Sequence, residues 1–167
     1  MANKEELLTS IRKAMQGEKD SYALYLRAAD GSSDPQVKDF FAERSAEEKL
    51  HYNYLLKYYQ EIPCAEAESD LTAELSGARK LPRIFSPEFI KRIGSDQYLF
   101  SAISTALLLE KDAFAHYQEM AAMTDSMTLK SFFELLANWE MAHYDELLGI
   151  QKEAELYYWE INGFEPM

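Results

Sequence analysis

Apolar residues recur along this chain at the spacing of three or four positions that is typical of amphipathic α-helices. The pattern extends over four long segments, at about residues 3–30, 34–62, 95–123 and 126–161. Asn3 and Asp34 are suitable N-cap residues, and Pro35 suits the first turn of a helix. Glycine and proline are scarce inside the segments and frequent between them. The pattern therefore predicts an all-α protein.

The connections between these segments differ in length. Short turns separate the first segment from the second and the third from the fourth. Residues 63–94 lack a comparable pattern, apart from a possible short helix near 87–93, and Gly94 and Ser95 mark the break and cap before the third segment. Short turns join antiparallel neighbours, whereas a long connection suits a crossover along a bundle. We therefore expect a four-helix bundle of two antiparallel hairpins joined by a long crossover, in one domain over residues 1–167.

Six residues with metal-binding side chains interrupt the apolar stripes of the four segments. They form three pairs, each 92 residues apart: Glu18 and Glu110, Glu48 and Glu140, and His51 and His143. The surrounding sequence repeats as well, because EKDSYALY in the first half returns as EKDAFAHY in the second. A duplicated helical hairpin explains this repeat and predicts that the six residues converge where the hairpins face each other.

The residue types in this pattern indicate a site for two metal ions. Glutamate and histidine three positions apart lie on the same face of a helix, so each Glu-x-x-His motif can supply one centre. Without a cation, four carboxylates in a core would repel one another and lose their hydration. Two divalent cations would neutralise them. The alternative, surface glutamates with ordinary core histidines, does not explain why the same positions recur in both halves.

Further polar residues follow the same repeat. Tyr25 and Tyr117 stand two turns beyond the lone glutamates on the ligand stripe. They are candidate catalytic residues that hydrogen-bond ligands or donate an electron, and they are equally compatible with aromatic core filling. Asp20 and Asp112 are candidates to orient a histidine through its second ring nitrogen, or else are solvated surface residues.

Composition narrows the function classes. The chain has 17 basic and 29 acidic residues, and its net charge of −12 argues against binding nucleic acid or an anionic membrane. Cys64 is the single cysteine, which excludes an internal disulfide and a rubredoxin-type iron site. No apolar stretch reaches the length of a membrane span, and the N-terminus lacks a signal-peptide core, so we expect a soluble cytoplasmic protein. The aromatic tail with Tyr157, Tyr158, Trp159 and Phe164 is expected to pack over the bundle or at a subunit contact.

The set Glu18, Glu48-x-x-His51, Glu110 and Glu140-x-x-His143 resembles that of the ferritin-like di-iron carboxylate proteins. The surrounding sequence is most similar to the rubrerythrin branch, without its rubredoxin domain, over residues 3–62 and 95–160. The resemblance implies a ferritin-like fold and two Fe ions, although Mn or Zn would accept the same ligands. It also implies that Glu48 and Glu140 bridge the metals, that Glu18 and Glu110 bind one metal each, and that the two histidines are terminal ligands.

The resemblance further implies an oxidoreductase that acts in oxidative stress. Its diferrous centre would reduce hydrogen peroxide or dioxygen, and a separate electron donor protein would reduce it again. A homodimer or higher homo-oligomer is expected. Two alternatives stay open: a ferroxidase that handles or stores iron, and a structural metal-binding bundle.

Overall fold

The computed structural model describes residues 3–64 and 69–163. Within these ranges the chain forms six helices: α1 (Lys4–Gly31), α2 (Pro35–Glu61), α3 (Thr72–Gly77), α4 (Pro87–Ser95), α5 (Gln97–Met123) and α6 (Met127–Asn162). The four long helices form two hairpins, α1 with α2 and α5 with α6, and the hairpins meet chiefly between α1 and α5. This arrangement confirms the predicted all-α four-helix bundle.

Local sequence signals set where the long helices begin. The Asn3 side chain caps α1 in a reciprocal pair of hydrogen bonds with Glu6. Asp34 accepts a hydrogen bond from the backbone of Val37, and Pro35 occupies the first turn of α2. These caps satisfy backbone N–H groups that have no partner inside the helix, and therefore fix the register of both helices.

The crossover differs from the expectation in two places. Ser95 does not begin the third long helix, because it ends α4, and the carboxylate of Asp96 caps α5 instead. The short helix α3 was not predicted, because its six residues bury only Leu75 and are too few to show a helical period. The helix expected near 87–93 is present as α4, which packs on α6 and α5.

Close packing of α4 on α6 depends on a glycine. A Cβ atom at Gly94 would lie 2.7 Å from the carbonyl oxygen of Ala154 and 3.1 Å from the ring of Tyr157. The first aromatic residue of the predicted tail therefore packs over the bundle, within the last turns of α6. Phe164, at the other end of that tail, lies outside the described residues. Cys64 is an exposed free thiol.

The apolar core consists of two clusters along the bundle. One cluster surrounds Tyr58 and Phe132, and the other surrounds Phe41 and Ile103. On each long helix the predicted ligands fall between the segments that contribute to these clusters. A buried polar layer therefore separates two hydrophobic halves. Among the described helices, none has the length and apolar character needed to cross a membrane.

Candidate metal centre

All four long helices contribute to the buried polar layer. Its carboxylates and imidazoles are almost completely shielded from solvent: Glu18 from α1, Glu48 and His51 from α2, Glu110 from α5, and Glu140 and His143 from α6. The structure thus brings all six sequence-predicted residues together. Each Glu-x-x-His pair faces the interior because its members are three positions apart on one helix.

These residues form two overlapping groups of possible ligands. One contains Glu18, Glu48, His51 and Glu140, and the other contains Glu48, Glu110, Glu140 and His143. Within each group, one ligand atom from every residue lies within 4.8 Å of the others. Glu48 and Glu140 belong to both groups. Shared carboxylates between two adjacent pockets are the arrangement that a pair of bridged cations requires.

Both histidines turn Nδ1 toward the carboxylates. The Nδ1 atom of His51 lies 2.8 Å from Glu140 Oε1, 3.5 Å from Glu18 Oε2 and 3.8 Å from Glu48 Oε2. The Nδ1 atom of His143 lies 3.3 Å from Glu48 Oε1, 3.5 Å from Glu140 Oε2 and 3.6 Å from Glu110 Oε2. The two rings are nearly parallel, with centroids 6.1 Å apart. Each imidazole therefore serves one pocket.

Several of these buried polar atoms have no hydrogen-bond partner. They are Glu18 Oε2, Glu48 Oε1, both carboxylate oxygens of Glu140, and both ring nitrogens of His51 and of His143. Buried polar atoms are nearly always paired, so a concentration of unpaired acceptors around one space requires an explanation. A cation provides it. Carboxylate and imidazole donors are ligands that Fe, Mn and Zn all accept, so the cluster fits a di-iron site.

The pKa values of the two shared carboxylates, Glu48 and Glu140, also indicate that this space suits a cation. Burial raises the pKa of Glu48, and the charges of the other three carboxylates raise it further. Burial and the charge of Glu18 raise the pKa of Glu140 to about 7, even though His51 opposes this shift. Without a cation these carboxyl groups therefore retain protons near neutral pH.

In His51, His143 and Glu110, the neighbouring charges outweigh the effect of burial on the pKa. Burial alone would lower the pKa of His51 and of His143, but the surrounding carboxylates raise both well above the usual value. Burial would raise the pKa of Glu110, yet the charge of His143 and several hydrogen bonds lower it to about 2. Cation binding must therefore displace protons from the imidazoles.

The two predicted tyrosines link the hairpins at this layer. The hydroxyl of Tyr25 donates a hydrogen bond to Oε1 of Glu110, and that of Tyr117 donates one to Oε1 of Glu18. Each bond thus runs from one hairpin to the lone glutamate of the other. The second oxygen, Oε2, is left facing the histidine of the same pocket. Burial, followed by the charge of the bonded glutamate, raises the pKa of both phenols, so they remain protonated donors.

The aspartates of the repeat do not reach the histidines. Asp20 and Asp112 are exposed, and Asp20 accepts a hydrogen bond from Gln16 on its own helix. The surface interpretation of both residues therefore holds. A carboxylate that the repeat did not reveal takes the expected place beside one histidine, because Glu47 Oε2 lies 3.0 Å from Nε2 of His143.

Glu47 is part of a buried ion-pair chain. The guanidinium of Arg44 pairs with Glu47 and, at 2.6 Å, with Glu146. Burial alone would raise the pKa of Glu47, but the hydrogen bond from His143 and the charge of Arg44 lower it to about 2. In the sequence, this ion-pair chain is indicated only by the opposite charges of Arg44 and Glu47, which lie one helical turn apart beside the ligand stripe.

Comparisons with known proteins agree with this geometry. The family model described as Rubrerythrin matches residues 10–151, which include the whole polar layer. No curated protein matched the chain. Among solved structures, a two-domain protein from Anabaena variabilis with dj-1/thij/pfpi-like and ferritin-like domains is similar, with a TM-score of 0.51 and 18% identity.

That similarity covers 99% of this chain and 41% of the Anabaena protein, so the chain spans less than half the length of that relative. At this identity the likeness establishes the fold alone, and it confirms the ferritin-like bundle. The family match is more specific, because it spans most of the sequence and both halves of the repeat. The chain therefore belongs to the rubrerythrin family.

Proposed function

We propose that this protein is a non-haem di-iron oxidoreductase that reduces hydrogen peroxide or dioxygen. The observation that carries the proposal is the pair of overlapping ligand groups that share Glu48 and Glu140. When bound, a reduced di-iron centre supplies two electrons to one oxidant molecule. Peroxide reduction breaks the O–O bond, consumes two electrons and two protons, and releases two water molecules.

The ligand roles follow from which groups the two pockets share. Glu48 and Glu140 would bridge the ions, while Glu18 with His51 and Glu110 with His143 would complete one ion each. Two divalent cations would offset the four carboxylate charges and leave the layer close to neutral. Cation binding would also stabilise the folded bundle, since it offsets the burial and the mutual repulsion that raise the pKa values of Glu48 and Glu140.

The tyrosines would hold the terminal carboxylates in place. Because Tyr25 and Tyr117 each donate a hydrogen bond to Oε1 of Glu110 and Glu18, they fix the orientation of these carboxylates, with Oε2 toward the histidine of the same pocket. Both phenols keep their proton at neutral pH and are buried beside the reacting centre. They are therefore the candidate residues to pass an electron and a proton to the oxidant.

An open cleft provides a route for a small oxidant. It has a volume of about 830 Å³ and lies between α2, α6 and the crossover. Its lining includes the imidazole of His143, the buried Arg44 and Glu47, and Arg79 and Arg83 of the crossover. A polar cleft that reaches a ligand histidine suits hydrogen peroxide, which is small and hydrogen-bonds strongly. We also propose a separate electron donor protein and a homo-oligomeric assembly.

Stopped-flow oxidation of the iron-loaded protein tests this function. The chain is loaded anaerobically with two Fe(II) ions and mixed with hydrogen peroxide or dioxygen, and the absorbance of the ferric product is followed. Oxidation should be faster than that of free Fe(II). A Glu48→Ala variant, which lacks one of the two shared carboxylates, should oxidise Fe(II) no faster than buffer does. Oxidation no faster than in buffer would contradict the proposal. Retention of many ferric ions per chain in place of peroxide turnover would favour the iron-storage alternative.

A further inference from the structure

The twofold repeat of the site is broken at one pair of positions. Glu47 and Trp139 are 92 residues apart, and each immediately precedes a bridging glutamate. Each also contacts the histidine of the opposite hairpin, Glu47 that of α6 and Trp139 that of α2. The two imidazoles therefore have chemically different neighbours, although the ligands themselves are identical.

On one side, an ionic chain supports the imidazole. His143 Nε2 lies 3.0 Å from Oε2 of Glu47, Arg44 pairs with Glu47, and Arg44 Nη2 lies 2.6 Å from Glu146. The repeat counterparts of Arg44 and Glu146 are Leu136 and Tyr54. Neither of these can form such a chain, so it exists on one side only.

On the other side, an aromatic ring replaces the carboxylate. The rings of His51 and Trp139 meet edge to face, with centroids 4.7 Å apart. Within the described residues, neither imidazole makes an aligned hydrogen bond through Nε2. It is Nε2 of His143 that has a carboxylate oxygen beside it, at 3.0 Å. The indole packs against this imidazole but offers no acceptor on its face comparable to a carboxylate.

We infer that the two metal positions are unequal, and that Glu47 is a positioning residue that makes the position at His143 bind its cation more tightly than the position at His51. This rests on the proposed dimetal function. An imidazole that donates its second N–H to a carboxylate is fixed in orientation and is a stronger metal ligand. Glu47 places a carboxylate oxygen 3.0 Å from Nε2 of His143, within reach of that N–H, whereas an aromatic ring takes the matching place beside His51. The first ion to enter therefore occupies the His143 position.

Titration of the metal-free protein with Zn²⁺ tests this inference without any redox step. Nitrogen-15 labelling of the histidines lets NMR follow the rings of His51 and His143 separately, with His116 outside the site as an internal reference. The first equivalent of Zn²⁺ should shift His143, and the second should shift His51. In Glu47→Ala the affinity at His143 should fall roughly 10- to 100-fold, and the order should disappear.

Two variants separate positioning from a general effect on folding. Glu47→Gln keeps an oxygen acceptor for the imidazole and should retain the order of binding. Trp139→Phe keeps an aromatic neighbour for His51 and should also retain it. Circular dichroism checks that each variant is folded.

Three results would overturn the inference. These are simultaneous shifts of both rings in the unmodified protein, an unchanged order in a folded Glu47→Ala variant, and loss of the order in Trp139→Phe. Failure of Zn²⁺ to shift either ring would overturn the dimetal site itself. Iron oxidation kinetics can fail independently of the binding order, so a negative result there identifies the proposed function as the part that is wrong.

Discussion

At the scale of single residues, the proposed metal centre depends on the groups that orient its six candidate ligands as much as on the ligands themselves. Tyr25 and Tyr117 each hold one oxygen of a lone glutamate across the hairpin boundary. Glu47 Oε2 lies 3.0 Å from Nε2 of His143, on the side of the ring away from the other carboxylates. A buried ligand with its unused atoms fixed has fewer alternative orientations, which lowers the entropy lost when an ion binds.

Removal of either tyrosine hydroxyl should destabilise the protein. Hydrogen bonds to buried charged groups contribute about 1.5–3 kcal/mol, so Tyr25→Phe and Tyr117→Phe should each lower the free energy of unfolding by about that amount. Urea denaturation of the metal-loaded protein measures the change. Tyr54→Phe is the matched control, because its hydroxyl bonds the largely exposed Glu74, and it should lose less than 1 kcal/mol. Equal effects in all three variants would contradict the assigned role.

The sequence alone identified some of the residues at this site and gave no indication of others. The repeat at 92 positions identified the six cluster residues and both tyrosines because each recurs in a chemically similar form. The repeat did not identify Glu47, because the matching position holds Trp139 and the two residues are not chemically similar. A partner on another helix that has no similar residue at the matching position of the repeat becomes visible only when the helices are packed.

At the scale of helices, capping and packing explain where each element begins and how closely it approaches its neighbours. The predicted bounds of α1 and α2 lie within a residue or two of those observed, because Asn3 and Asp34 are strong caps. The start of α5 was misplaced because Ser95 and Asp96 are both good capping residues, and only tertiary contacts of α4 decide between them.

Two glycines within helices should respond to alanine in opposite directions. A Cβ atom at Gly17 would meet nothing within 4 Å, so Gly17→Ala should stabilise the protein by about 0.5–1 kcal/mol through helix propensity. Gly94→Ala would place a Cβ atom against the backbone of Ala154 and should be destabilising. Thermal unfolding of the two variants under one condition gives the comparison. Stabilisation by Gly94→Ala would show that α4 does not approach α6 as closely as described.

At the scale of the whole molecule, the bundle places an acidic layer between two apolar clusters. The folded chain accommodates this layer without metal only by retaining protons on groups such as Glu140, His51 and His143. The all-α class and the hairpin order followed from periodicity and connection lengths. The position of the cleft did not, because it depends on how the crossover lies against α2 and α6.

The metal-free protein should become more stable as the pH is lowered. The pKa of Glu140 is raised from 4.5 to about 7, so its contribution to stability is fully present below pH 4.5 and is lost as the pH rises through about 7. The raised histidine pKa values act in the same direction. We expect the Tm to rise by roughly 5 °C between pH 8 and pH 5.5 in the presence of a chelator.

The metal-loaded protein should instead become less stable as the pH is lowered, because protons then compete with the cations for the same groups. Scanning calorimetry of both forms measures it. A Glu140→Gln variant should flatten the dependence of the metal-free form, whereas Glu153→Gln, at an exposed position of α6, should leave it unchanged. A Tm that falls when the metal-free protein is acidified would contradict the claim that this layer retains protons.

The most direct test of the central claim is an anomalous-scattering map of crystals of the iron-loaded protein. The account predicts two iron peaks per chain between the two apolar clusters, with Glu48 and Glu140 contacting both. One peak should also contact Glu18 and His51, and the other Glu110 and His143. A single peak, no peak, or glutamates turned away from a common centre would contradict the claim that a pair of cations neutralises this buried layer.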